Sequence, residues 1–146
     1  MTTLLVDTSV LIKWFHSEGE SELAEARAIR DATRREDVDA RVIDLAIYEM
    51  GNVLLRALHW SGPDVADQLD DLVLMCGAPL GMTAAWFREA AIIGGTHALT
   101  FYDACWVAAA QALRVSLVSA DAQLLKAGLA ESPRSAAQRL RLTRPF

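Results

Sequence analysis

Asp7, Glu49, Asp103 and Asp121 are four acids set against apolar neighbours rather than in polar loops. A carboxylate beside packed apolar side chains is costly unless it is paired or bound to a cation. Several carboxylates in one cleft repel one another, and a divalent metal relieves that repulsion. Hard oxygen donors select Mg²⁺ or Mn²⁺ over zinc. Each acid also has a plain structural use. Asp7 and Asp121 sit where an N-cap is needed. Glu49 can pair with Arg56 along a helix. Asp103 follows Thr100 at capping-box spacing. The metal reading therefore rests on all four acids meeting at one place.

The elements around them make that meeting plausible. Leu4-Leu5-Val6 is a short apolar strand ending at Asp7, and an apolar helical turn follows over 8–15. Ser17 and Glu20 have capping-box spacing and open a charged helix to 36, with a narrow apolar stripe that places it at the surface. Residues 41–43 form a second strand. In the helix 44–60 the polar residues Glu49, Asn52, Arg56 and His59 fall on a single stripe, and the apolar remainder predicts burial on most sides. Gly62-Pro63 break it, and another helix covers 64–75. Residues 79–82 fit a short strand. A helix over 83–93 stops at Gly94-Gly95. Helix 100–113, strand 115–118 and a short helix after Asp121 to 127 complete the pattern. Strands alternating with helices predict a parallel sheet covered on both faces, with ligands beyond the carboxyl ends of the strands. Asp7 and Asp121 lie at such ends.

The order Asp7-Thr8-Ser9-Val10, Glu49 with Asn52, Tyr102-Asp103-Ala104, and Ser119-Ala120-Asp121 with Leu124 resembles the PIN-domain family. The resemblance is closest to the VapC-type toxin ribonucleases of type II toxin–antitoxin systems, and spans residues 4–127. It implies a single domain over 1–146, a three-layer α/β/α sandwich with a short, mostly parallel central sheet. It implies an endoribonuclease dependent on Mg²⁺ or Mn²⁺, with Asp7, Glu49, Asp103 and Asp121 as the catalytic, metal-holding cluster. Asn52 and Ser119 match the family's supporting polar positions. Thr8, Ser9 and Ser119 would orient carboxylates or water. Asp7 and Asp103 are expected to be the most direct ligands. The implied partners are an RNA substrate (tRNA, rRNA or mRNA), a small VapB-type antitoxin and a second copy of the chain. The antitoxin would use an apolar groove near Trp14, Phe15 and helix 44–60.

Rival classes fit less well. A catalytically silent PIN-like RNA- or protein-binding module should have lost an acid, and none is missing. A haloacid-dehalogenase-type phosphotransferase wants a second aspartate two residues after Asp7, where Ser9 stands. A receiver domain needs paired early acids. No Gly-rich phosphate loop is present. The two cysteines, Cys76 and Cys105, have no histidine motif beside them and read as packing residues. Most of Trp14, Trp60, Trp86 and Trp106 read as core or interface residues.

The 146 residues are 53% hydrophobic and 23% charged, which excludes disorder and fits one core. No apolar run is long enough for a membrane span, and the first ten residues hold no base, so a secretory leader is not expected. The expectation is a soluble cytoplasmic protein. The formal charge of −5 argues against bulk electrostatic binding of nucleic acid. It is uneven: residues 1–75 hold 15 acids and 7 bases, residues 76–146 only 4 acids against 7 bases. Arg134, Arg139, Arg141 and Arg144 near the end are the expected contacts to an RNA backbone.

Overall fold

The computed structural model describes residues 1–142. Three parallel strands form an open sheet: β1 (Thr2–Val6) at the centre, β2 (Val38–Arg41) on one side and β3 (Ser116–Val118) on the other. Leu4, Leu5 and Val6 are fully buried, as a strand covered on both faces requires. Eight helices among the described residues flank the sheet: α1 (Thr8–Phe15), α2 (Leu23–Arg34), α3 (Leu45–Asn52), α4 (Gly62–Cys76), α5 (Ala84–His97), α6 (Phe101–Leu113), α7 (Ala122–Lys126) and α8 (Pro133–Arg139). The expected α/β/α architecture is therefore present. No described helix is long and apolar enough to cross a membrane.

Several expected boundaries shift, each for a physical reason. β2 begins at Val38 rather than at residue 41, because its register with β1 starts at Thr2 opposite Val38. Val38 and Ala40 point inward between Asp39 and Arg41, so the period-two pattern is hidden by charge. The capping box at Ser17 does not form. Ser17 accepts a hydrogen bond from Arg27, Glu20 pairs with the buried Lys13 at 3.2 Å, and α2 starts only at Leu23. Residues 79–82 contribute only a bridge from Leu80 to Ile43. Gly62 and Pro63 do separate two helices, but they do so as the first turn of α4, with Ser61 accepting from the Asp64 amide. Proline suits that turn because its missing N–H would be unpaired there anyway.

The helix after Ile43 departs most. It runs regularly only to Asn52 and continues as a π-helical segment, Val53–Ala57. Only Ala46, Met50 and Leu54 are fully buried, a single i, i+4, i+8 line, while Tyr48 and Leu55 are exposed. The expected burial on most sides is thus overturned: one line is fully buried, and Leu45, Ile47 and Leu58 pack against the core only in part.

Helix α5 also runs straight through Gly94-Gly95, which were expected to stop it. Gly94 faces α6, and a Cβ built on it would stand 3.4 Å from the Ala104 Cβ. The glycine permits close packing of two helices rather than a turn. Gly94→Ala is expected to be nearly neutral, since gained helix propensity offsets a tight contact. Gly94→Leu is expected to cost about 1–3 kcal/mol by overpacking, read as a lowered urea midpoint at unchanged m-value.

Candidate metal centre

The carboxyl ends of β1 and β3 are tied together where the Asp7 amide donates to the Val118 carbonyl at 3.1 Å. Asp7 then occupies the N-cap position of α1 but makes no side-chain cap bond. Its carboxylate instead accepts from the Ser9 hydroxyl at 2.5 Å. Ser9 Oγ in turn accepts from the Ala120 amide at 2.9 Å and lies 3.4 Å from the Ser119 hydroxyl. One residue of α1, Ser9, thus binds the first acid to the loop that carries the fourth.

Asp121 follows that loop and caps α7. Its Oδ1 accepts from the Gln123 and Leu124 amides at 2.9 and 3.0 Å, and its own amide donates to Ser119 Oγ at 3.0 Å. The structural use expected for Asp121 is real, yet it occupies only Oδ1. Asp103 begins α6, where Thr100 Oγ1 accepts from its amide at 3.1 Å. Glu49 does not pair with Arg56. Its Oε1 accepts from the Thr8 hydroxyl at 2.9 Å and from the Trp106 indole N–H at 3.3 Å.

These side chains line one cleft of about 240 Å³, formed by Asp7, Thr8, Ser9, Ile12, Glu49, Val53, Asp103, Trp106 and Asp121. All four acids expected to act together are present, and the lining holds no lysine or arginine. Burial pushes the Asp7 carboxyl up to about 6, against the pull of the Ser119 and Ser9 hydroxyls; the Asp103 charge adds a smaller push. Asp103 is also raised, first by burial and then by the charges of Asp121 and Glu49. Two acids with raised proton affinity, beside two more in the same cleft, suit a cation. Oxygen-only donors suit Mg²⁺ or Mn²⁺ in kind. Among the described residues no three acidic, histidine or cysteine side chains stand close enough together to hold one metal ion.

Ser119 lies beneath the cleft, fully buried. Asn52 is exposed and is not part of the lining. Trp106, Ile12 and Val53 complete the walls. Trp106, expected from its apolar neighbours to pack in the core or an interface, lines the cleft; its position three residues after Asp103, on the same helix face, is the signal for this in the sequence. Trp14 is packed in the core and is not among the residues lining the cleft, whereas Tyr48 and Leu55 on the expected antitoxin side are exposed. Of the arginines near the end, Arg139 pairs with Glu131 at 2.5 Å and Arg134 with Glu25 at 3.9 Å; Arg144 lies outside the described residues. Both cysteines are buried, and burial pushes the Cys76 thiol up to about 12, which makes it inert. A larger hollow of about 580 Å³ lies at His59, Trp60, Asp64, Asp67 and Asp71. Asp64 and Asp67 there are exposed and Asp71 pairs with Arg34 at 3.5 Å, so that hollow lacks buried donors.

A parallel α/β domain thus brings four acids, two from strand ends and two from helices, to one cleft whose lining holds no lysine or arginine. The chain belongs to the PIN domain family, whose model matches residues 4–129. No curated protein matches it in sequence. Among solved structures it is similar to PAE2754 from Pyrobaculum aerophilum, at 23% identity and a TM-score of 0.69 over 97% of this chain and 91% of that one. It is also similar to a toxin-antitoxin complex from Klebsiella pneumoniae, at 16% identity and a TM-score of 0.64 over 89% and 97% of the two chains. FitAcB from Neisseria gonorrhoeae aligns at 18% identity and a TM-score of 0.64 over 90% and 98%.

Proposed function

We propose that the protein is a Mg²⁺- or Mn²⁺-dependent endoribonuclease, the toxin of a VapC-type toxin–antitoxin pair. The observation that carries this reading is the convergence of Asp7, Glu49, Asp103 and Asp121 on one cleft lined by no cationic side chain. Asp7 and Asp103 would hold the metal most directly, with Glu49 and Asp121 completing the site through Oε2 and Oδ2, the oxygens not used by the fold. The bound metal supplies a water of lowered pKa and neutralises charge on a phosphodiester. Ser9 and Ser119 keep the Asp7 carboxylate in place, and Thr8 does so for Glu49. Burial holds a proton on Asp7 of the metal-free protein up to about pH 6, and that proton competes with the cation, so Mn²⁺ uptake should weaken as pH falls below 6.

Toxin–antitoxin complexes among the structural neighbours support an antitoxin partner. The exposed Tyr48 of α3 and Leu55 of the π-helical segment offer apolar area for it. An arginine of that partner could enter the acidic cleft. Self-association is the further partner proposed, measured by sedimentation.

Purified, antitoxin-free protein with Mn²⁺ is expected to cut at least one RNA in a panel of tRNA, rRNA and mRNA. EDTA should stop the cut, and Asp103→Ala should reduce it on the order of a hundredfold or more. No Mn²⁺ uptake by calorimetry at millimolar metal, with the fold intact, would return the protein to a binding module without catalysis.

A further inference from the structure

We propose that Trp106 is a positioning residue for Glu49, acting through its indole N–H; the inference rests on reading the cleft as a metal centre. Trp106 is 2% exposed, and a buried indole N–H must find an acceptor. Its acceptor is Glu49 Oε1, at 3.3 Å and 57 residues away in sequence. The Thr8 hydroxyl reaches the same oxygen at 2.9 Å. Helices α1, α3 and α6 therefore meet at one carboxylate oxygen.

Two donors on Oε1 do two things. They fix the rotation of the carboxylate, and they leave Oε2 with no protein donor among the described residues. Oε2 is then the oxygen available to the cleft that Glu49 and Trp106 both line. Glu49 needs such a hold. It follows the sheet by a helix whose next turn is π-helical, and its side chain has three rotatable bonds. α6 thus contributes twice from one face: Asp103 as an acid, and Trp106, three residues on, as the donor that aims the acid of another helix.

The decisive experiment uses the full chain and Mn²⁺ alone as the probe. Trp106→Phe keeps most of the ring and removes only the donor. It is expected to weaken Mn²⁺ binding, by calorimetry, about 10- to 100-fold. In a Glu49→Ala background the same substitution should leave the Mn²⁺ Kd within about twofold, because the group it acts through is gone. An equal loss in both backgrounds means a structural role and overturns the proposal. So does wild-type affinity in folded Trp106→Phe. A second readout needs no metal. The indole N–H resonance of Trp106, assigned by its loss in Trp106→Phe, should move in Glu49→Ala while that of Trp86 stays; an unmoved resonance overturns the proposal. Wild-type protein that takes up no Mn²⁺ instead overturns the metal-centre reading, and the positioning role with it.

Discussion

Asp7→Asn is expected to abolish RNA cleavage, by on the order of a thousandfold or more, while making the metal-free protein more stable at pH 7. The two effects have one cause. Asp7 is 4% exposed at the end of the central strand, facing other acids. Burial lifts its carboxyl from 3.8 to about 6. Between those values the folded chain holds a proton that the unfolded chain has released. The stability present below pH 4 is therefore lost as pH rises to 6, and stays lost above it. At about 1.4 kcal/mol for each pH unit, the loss is on the order of 3 kcal/mol. Asparagine carries no charge and can still accept from Ser9, so its contribution does not vary over this window. Urea unfolding in EDTA at pH 4, 5, 6 and 7 is the measurement. Wild type should lose more midpoint across the series than Asp7→Asn, which keeps only the smaller dependence from groups such as Asp103. Added Mn²⁺ should restore wild type at pH 7 and do little for the variant. A variant no more stable than wild type at pH 7 would mean that the carboxylate is well solvated.

Trp14→Ala is expected to cost about 3–5 kcal/mol, in the range of large aromatic deletions in a core. Trp14 is among the largest fully buried side chains, and its ring meets Phe15 edge-on at 6.3 Å. Its backbone carbonyl also anchors Arg30 at 2.7 Å, which a side-chain change leaves intact. The indole Nε1, in contrast to that of Trp106, has no hydrogen-bond partner. An unpaired buried donor costs about 1–3 kcal/mol. Trp14→Phe removes that donor together with some volume, so the two effects oppose. Its cost is expected to stay below about 1.5 kcal/mol, as for other conservative core swaps. Urea midpoints of the two variants at one m-value check this. A phenylalanine as costly as the alanine would show that packing alone decides the site.

The two tryptophans show how much the sequence could say. Both stand among apolar residues at helical spacing, and both read as packing. One has no partner for its N–H; the other donates to an acid on another helix. That difference depends on which helix lies opposite, which no local pattern contains. Asn52 shows the converse. It shares a helical stripe with Glu49, yet it lies in the last turn before the π-helical segment and remains exposed.

The sequence by itself determined the strand–helix alternation, the parallel sheet and the identity of the four acids. Short apolar strands and polar breaks are local, and so is an acid placed where apolar residues surround it. The tertiary structure decided which oxygen of each acid is spent on the fold. Asp121 gives Oδ1 to a helix cap and Glu49 gives Oε1 to Thr8 and Trp106, while Asp7, at the N-cap position of α1, makes no cap bond. It also decided that two of the arginines near the end turn to Glu131 and Glu25. The bonds from Thr8 and Trp106 to Glu49 join residues 41 and 57 positions apart, and only the packing of the helices sets their geometry.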